Sequence, residues 1–288
     1  MRKLAMFDAD NLVHPDFIAC MNDYLEAHPE AEAVQGYLET KNPSDTWITR
    51  SYALSYWYLN RFWSLARAHW GLSVALGGTG FVIRTPALSR SGWELHSLTE
   101  DLELTIRIVL QGGRIHWNDA AWVYDEKPLT LAASLRQRTR WVRGQYWVLW
   151  RYAPAAVSGF LRTGRWQHLD LLVLLATPLL YAAGYLATLG GWAVALLALP
   201  SPAPEGVGWL SAVGTTLAVL QALLLTGLAP LLRFGRWDPR YLLMLLPYTF
   251  YVLTWAWPVF TAPFQAHDQG NWAKTPHTRA LRLEELDG

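Results

Sequence analysis

The sequence predicts an α/β domain at the front of the chain and a set of membrane helices at the back. Three observations carry this. Strand-like and helix-like segments alternate before residue 134, the pattern of a layered α/β fold. Only 13 of the 47 charged residues fall after His168. That same region holds three long stretches with no charged side chain. The 288 residues are 52% hydrophobic, which excludes a disordered chain. With 24 Lys+Arg against 23 Asp+Glu, no basic stripe dominates, and nucleic acid is excluded as the partner. Seventeen Trp suit a protein working at a membrane interface. The single cysteine, Cys20, excludes an intrachain disulfide and a Cys-rich zinc site.

The front elements follow in order. Leu4–Phe7 is a short apolar run that stops at Asp8-Ala9-Asp10, a buried strand ending in an acidic turn. Pro15–Ala27 reads as a helix with Phe17, Ile18, Met21 and Leu25 along one face. Ala33–Leu38 is a second strand, and Thr46–Ala68 a long aromatic helix. Gly77-Gly78-Thr79-Gly80 is a glycine turn leading into the strand Phe81–Ile83. Leu102–Leu110 is an amphipathic helix stopped by Gly112-Gly113, with Ser97 and Glu100 spaced as a capping box before it. Arg114–Trp117 and Ala121–Tyr124 read as two short strands. Ser134–Tyr152 carries five arginines and no acid, interleaved with Trp and Tyr, as a helix lying on a membrane surface does.

A helix crosses a bilayer core with about 20 apolar residues. Leu171–Leu199 is uncharged over 29 residues, Gly206–Leu232 over 27, and Tyr241–His267 over 27 with His neutral. Each is long enough to span, and Pro178, Pro247 and Pro258 are tolerated in lipid. The loop Pro200–Glu205 has no Lys or Arg, whereas Arg233–Arg240 holds Arg233, Arg236 and Arg240. The positive-inside rule therefore puts the arginine loop and the front domain in the cytoplasm. Strict alternation would send Lys274, Arg279 and Arg282 outside, against the same rule, so the side of the tail stays open. Met1–Ala9 lacks a signal-peptide pattern. The expected division is 1–133 for the α/β domain, 134–168 for the interfacial region, 169–267 for transmembrane helices and 268–288 for a polar tail. That makes a multi-pass protein of the cytoplasmic (inner) membrane.

Three clusters could carry chemistry. Asp8 and Asp10, at a strand end, can share a divalent cation with phosphate oxygens, although acidic turns are also common where strands stop. Glu100 and Asp101 sit where a carboxylate could act as general base, or could merely complement a helix dipole. Gln137, Arg138, Arg140 and Trp141 combine guanidinium forks suited to phosphate with a flat face for a sugar ring. A basic surface helix has the same composition.

D-x-D at Asp8–Asp10, then T-E-D at Thr99–Asp101, then Q-x-x-R-W at Gln137–Trp141 ahead of transmembrane helices, resembles the membrane-bound family 2 glycosyltransferases, the processive polysaccharide synthases and their relatives. Trp272-Ala273-Lys274-Thr275-Pro276 adds a family-like segment. The resemblance implies an α/β fold of the GT-A (Rossmann-like) type, here a partial one, on the cytoplasmic membrane face. It implies that Asp8 and Asp10 hold Mg²⁺ or Mn²⁺, and that Asp101 deprotonates the acceptor hydroxyl. Gln137, Arg140 and Trp141 match the fixed letters of the third motif, where Arg140 grips the diphosphate, with Arg138 close by, and Trp141 faces the acceptor sugar. Gly78, Thr79 and Gly80 line the acceptor pocket. The donor would be a nucleoside-diphosphate sugar such as a UDP-sugar, the acceptor a polysaccharide or lipid-linked hydroxyl, and the transfer inverting.

Family members carry the N-terminal half of the sheet before D-x-D, whereas seven residues precede Asp8 here. The expectation is therefore that this chain alone binds nucleotide sugar poorly, with a separate chain or an upstream extension supplying that half. The alternative is a non-catalytic membrane subunit or remnant of such an enzyme. A transporter is disfavoured because the three runs hold no charged residue.

Overall fold

The computed structural model describes residues 2–197, 205–270 and 283–285. Its five strands are β1 (Lys3–Met6), β2 (Leu12–Val13), β3 (Ala33–Thr40), β4 (Phe81–Arg84) and β5 (Ile115–Asp125), in the sheet order β1-β4-β3-β5-β2. β3 and β5 run parallel, and the other three pairings are antiparallel. The sheet is therefore mixed. The two short strands expected at 114–124 are one strand, β5. The register slips opposite Gly36/Tyr37, where Asn118 Oδ1 accepts from Ala120 N at 3.1 Å and the intervening residues bulge out.

Side chains alternate across the sheet, and each face takes a helix. Helix α1 (Phe17–Ala27) buries Phe17, Met21 and Leu25 against Val34, Leu38, Val82 and Val123. The residues between those, Ala33, Phe81, Ile83 and Ile115, point to the other face. The expected aromatic helix is α2 (Trp47–Tyr58), a π-helical turn (Leu59–Leu65) and α3 (Ala66–His69). Thr46 and Thr49 cap α2 reciprocally. After β4, α4 (Thr85–Ser91) leads toward α5 (Glu100–Leu110), whose Leu104 and Ile108 close the second face of the sheet.

Helix α6 (Leu131–Thr163) is longer than the interfacial helix expected at 134–152 and is packed on more than one side. Val142, Tyr146 and Leu149 bury against Leu102, Ile106 and Val109 of α5. Helices α7 (Trp166–Leu197) and α8 (Glu205–Phe234) cover the first two uncharged runs. Helix α8 ends on the front domain: Arg233 Nε donates to Glu39 Oε2, and Glu39 Oε1 accepts from Trp57 Nε1 at 2.7 Å.

The third run is not one regular spanning helix. A 3₁₀ turn (Pro239–Met244) precedes α9 (Leu245–Leu253), α10 (Ala256–Thr261) and a second 3₁₀ turn (Ala262–Gln265). Both of its ends rest on the front domain. Tyr241 meets Trp57 of α2 at 5.7 Å between rings, and Ala262 and Ala266 pack with Leu102 and Ile106 of α5. By length and composition, 166–193 (mean hydropathy 1.8) and 239–265 (mean hydropathy 1.4) are apolar enough to cross a membrane. Large apolar side chains face outward on both, among them Leu186, Leu243, Leu246 and Phe264. The proline loop at 200–204 and the segment 272–276 lie outside the described residues.

Candidate active site

The end of β1 and the glycine turn before β4 are knotted together. Gly80 N donates to Met6 O at 2.9 Å, and Thr79 Oγ1 accepts from Asp8 N at 3.1 Å and from Asn11 Nδ2 at 2.7 Å. Gln35 holds the turn from the sheet: its Oε1 accepts from Gly77 N, and its Nε2 donates to the carbonyls of Gly36, Thr79 and Gly80. Gly78 (φ +79°) and Gly80 (φ +63°) occupy the left-handed region, where a side chain is strained. The turn therefore lies close against α5. A Cβ on Gly78 would stand 3.4 Å from Asp101 Oδ2.

Asp101 sits in the first turn of α5, where its Oδ1 accepts from Leu102 N at 2.7 Å. Burial, then the neighbouring Glu100, push its carboxyl up to about 7, against the pull of Leu102 N–H and Arg140. Asp8 is pushed up to about 6 by partial burial and by Asp125, Asp10 and Glu100, with Arg140 opposing. A single guanidinium thus acts on both carboxylates, and Arg140 Nη1 donates to Leu98 O at 3.3 Å, in the loop that leads to Asp101. Asp8, Asp10, Glu100, Asp101 and Arg140 form one electrostatic cluster.

The cap before α5 differs from the expectation. Thr99, not Ser97, is the N-cap residue, and it makes no side-chain cap hydrogen bond. The loop is held by buried Glu103 instead, whose Oε2 accepts from His96 N and Ser97 N at 2.8 and 2.9 Å. From the other side α6 comes very near. A Cβ on Gly144 would lie 2.4 Å from Thr99 Oγ1, so only glycine admits this approach.

The remaining motif residues divide. Gln137 Oε1 accepts from Tyr52 Oη at 3.0 Å, and Trp141 stands edge-on to the same ring at 6.3 Å. These two line the α2 side of the helix. Arg138 is not brought to the acidic cluster. It is fully buried, donating to Thr254 Oγ1 at 2.8 Å, with its guanidinium 4.6 Å from the Tyr251 ring and 4.9 Å from that of Trp255.

Two residues at the end of β5 join the site without having been singled out in the sequence. Asp125 accepts from Lys127 Nζ at 2.5 Å, and Lys127 lies 3.6 Å over the Tyr56 ring. Their signal was an acidic residue closing a second strand, as at Asp8. Asp125, Asp10 and Glu100 all hold the Asp8 carboxyl up, so negative potential builds at this end of the sheet, and carboxylate oxygens are the donor type that Mg²⁺ and Mn²⁺ take. Among the described residues, Asp8, Asp10 and Asp125 do not bring their oxygens within 4.8 Å of one another.

Residues 2–144 match the family described as glycosyltransferase like family 2. Probable glycosyltransferase YdaM of Bacillus subtilis (strain 168) is 31% identical over 155 residues, covering 52% of this chain and 36% of that protein. Glucomannan 4-beta-mannosyltransferase 7 of Arabidopsis thaliana is 32% identical over 146 residues, 49% of this chain and 26% of that protein. The chain thus spans between a quarter and two fifths of the length of these relatives. The matched stretch, residues 2–144, holds the whole sheet and the acidic cluster, so the likeness to family 2 glycosyltransferases falls on this domain.

Proposed function

We propose that this domain transfers a sugar, with inversion, from a nucleoside-diphosphate sugar to a hydroxyl group at the cytoplasmic face of a membrane. The observation that carries the reading is the glycine turn shared by the two acids: Thr79 Oγ1 accepts from Asp8 N at 3.1 Å and a Cβ on Gly78 would stand 3.4 Å from Asp101 Oδ2, which draws phosphate-side and acceptor-side chemistry together. A carboxyl near 7 suits a general base at cellular pH. The acceptor oxygen attacks the anomeric carbon as its proton passes to Asp101, and the bond from that carbon to the diphosphate oxygen breaks. Asp8 and Asp10 would hold Mg²⁺ or Mn²⁺, which when bound offsets charge on the departing diphosphate. Arg140 contributes a fixed positive charge to the same end. Gln137 and Trp141 orient the acceptor, Glu100 helps hold the Asp101 carboxyl high, and the Gly78-Thr79-Gly80 turn seats the sugar beside it. Arg138, buried on the far side of α6, has no part in gripping phosphate.

The membrane reading rests on α7, α8 and the outward apolar surface, since exposed apolar areas of this extent mark contact with lipid or a partner. Both ends of 239–265 rest on the front domain, so this segment lies along the inner leaflet while α7 and α8 cross. The tail then begins in the cytoplasm, in keeping with its basic residues. Gln269 Oε1 accepts from Leu98 N at 2.7 Å, which brings the start of the tail to the catalytic loop. The relatives named as glucomannan mannosyltransferases favour a polysaccharide acceptor over a lipid-linked one.

The test is transfer of radiolabelled sugar from a panel of nucleoside-diphosphate sugars by membranes containing the protein joined to the N-terminal half of the sheet, with Mg²⁺ or Mn²⁺. Labelled product from this extended protein, lost in Asp101→Asn, is expected. Full transfer by Asp101→Asn would overturn the base role.

A further inference from the structure

We infer that His28, Glu30 and His116 form a second metal site, for a zinc-type divalent cation, at the end of the sheet opposite the acidic cluster. The three side chains come from separate elements: His28 closes α1, Glu30 lies in the turn to β3, and His116 is on β5. One ligand atom from each lies within 4.8 Å of the others. His28 Nδ1 is 3.2 Å and His116 Nε2 is 3.9 Å from Glu30 Oε1. A tetrahedral zinc site with bonds of about 2.0–2.1 Å sets its ligand atoms about 3.3 Å apart, between these two distances.

The second observation is the state of His116. Its side chain is only 3% exposed, yet Nε2 has no hydrogen-bond partner. Nδ1 is engaged by Tyr24 Oη at 3.2 Å. If Nδ1 donates to Tyr24, Nε2 is a bare lone pair aimed at a carboxylate; if Tyr24 donates, the Nε2 proton points at an oxygen too distant to bond. In either tautomer a buried ring nitrogen faces Glu30 with nothing joining them, and a cation between them satisfies both. Tyr24 supplies the outer hydrogen bond that fixes a ligating imidazole, and its ring also lies tilted against His28 with ring centres 4.4 Å apart. Two imidazoles and one carboxylate favour zinc over the hard-oxygen cations suited to Asp8 and Asp10. His28 and Glu30 are partly exposed, so a fourth position is open to water.

This site is separate from the acidic cluster. Val34, paired with His116, is six residues along β3 from Thr40, paired with Asp125, or roughly 20 Å at the rise of a strand. A bound ion would tie the end of α1 to β5, a structural staple with no part in the transfer.

The test is titration of the purified, chelator-stripped full chain with Zn²⁺ alone, followed by calorimetry and by Tm. The expected result is one tightly bound equivalent, a raised Tm, the visible absorption of tetrahedral Co²⁺ on cobalt substitution, and the same stoichiometry in Asp10→Asn. His28→Gln and Glu30→Gln alter a partly exposed turn and leave the fold intact; each should weaken Zn²⁺ binding at least about tenfold. No tight equivalent, or unchanged affinity in both variants, overturns the site. His116→Gln should abolish binding, and if it fails to fold the two turn variants decide.

Discussion

Arg138 and Arg140 stand two residues apart on one helix and do opposite work. A helix advances about 100° per residue, so the two guanidinium groups leave on nearly opposite faces. Arg140 donates to Leu98 O, and its charge reaches Asp8 and Asp101. Arg138 meets the rings of Tyr251 and Trp255 and the hydroxyl of Thr254, with no carboxylate among those partners. One face of α6 is electrostatic and belongs to the chemistry; the other holds the 239–265 segment onto the domain. The remaining motif letters obey the same geometry. Gln137 and Trp141, four apart, share Tyr52, while Arg140 and Gly144, four apart, share the loop Leu98–Thr99.

The sharpest way to break this comparison is to remove the chemistry from one face alone. Asp101→Asn should lower transfer by about 10²–10⁴ while the protein stays folded. Its native carboxyl binds its proton more tightly than an unfolded one, so stability falls as pH rises from about 4 to about 7. Denaturant melts should therefore show Asp101→Asn as the more stable protein at pH 8, with the difference gone at pH 4. In the native enzyme the rate should climb with pH through about 7, read from a pH–rate profile.

The next test compares the arginines directly. Arg140→Ala should reduce transfer by about 10² with Tm nearly unchanged, because it removes preorganised charge. Arg138→Ala should cost about 2–4 kcal/mol of stability, seen as a lower Tm, through a buried cavity and unpaired acceptors. Equal effects of the two on Tm would dissolve the distinction between the faces. A smaller effect is expected at the contact itself. Gly144→Ala drives a methyl into Thr99 and should cost about 1–3 kcal/mol by overpacking, with a loss of transfer rate as the loop carrying Asp101 shifts. Least of all, Asp125→Asn should lower the Asp8 carboxyl pKa, measured as a shift in the acidic limb of the pH profile.

Much of the front domain was legible before any coordinates. Short apolar runs and a glycine turn located four of the five strands, and α1 and α5 appeared where one-sided apolar spacing put them. β2 escaped notice because two residues carry no periodicity. The strands at 114–117 and 121–124 looked separate because a bulge interrupts the alternation without ending the strand. Asp125 and Lys127 were missed because nothing local distinguishes an acid that ends a strand at a site from one that merely ends a strand.

The sequence by itself determined the division between charged front and apolar back, the acidic turn after the first strand, and the order of the three motifs. These depend on composition and local period, which a chain carries wherever it folds. Only the tertiary structure decided which arginine serves the carboxylates, that the third apolar run returns to the domain, and that His116 lies buried facing Glu30. Each depends on which surfaces meet across long stretches of chain, and residue spacing does not encode distance between elements.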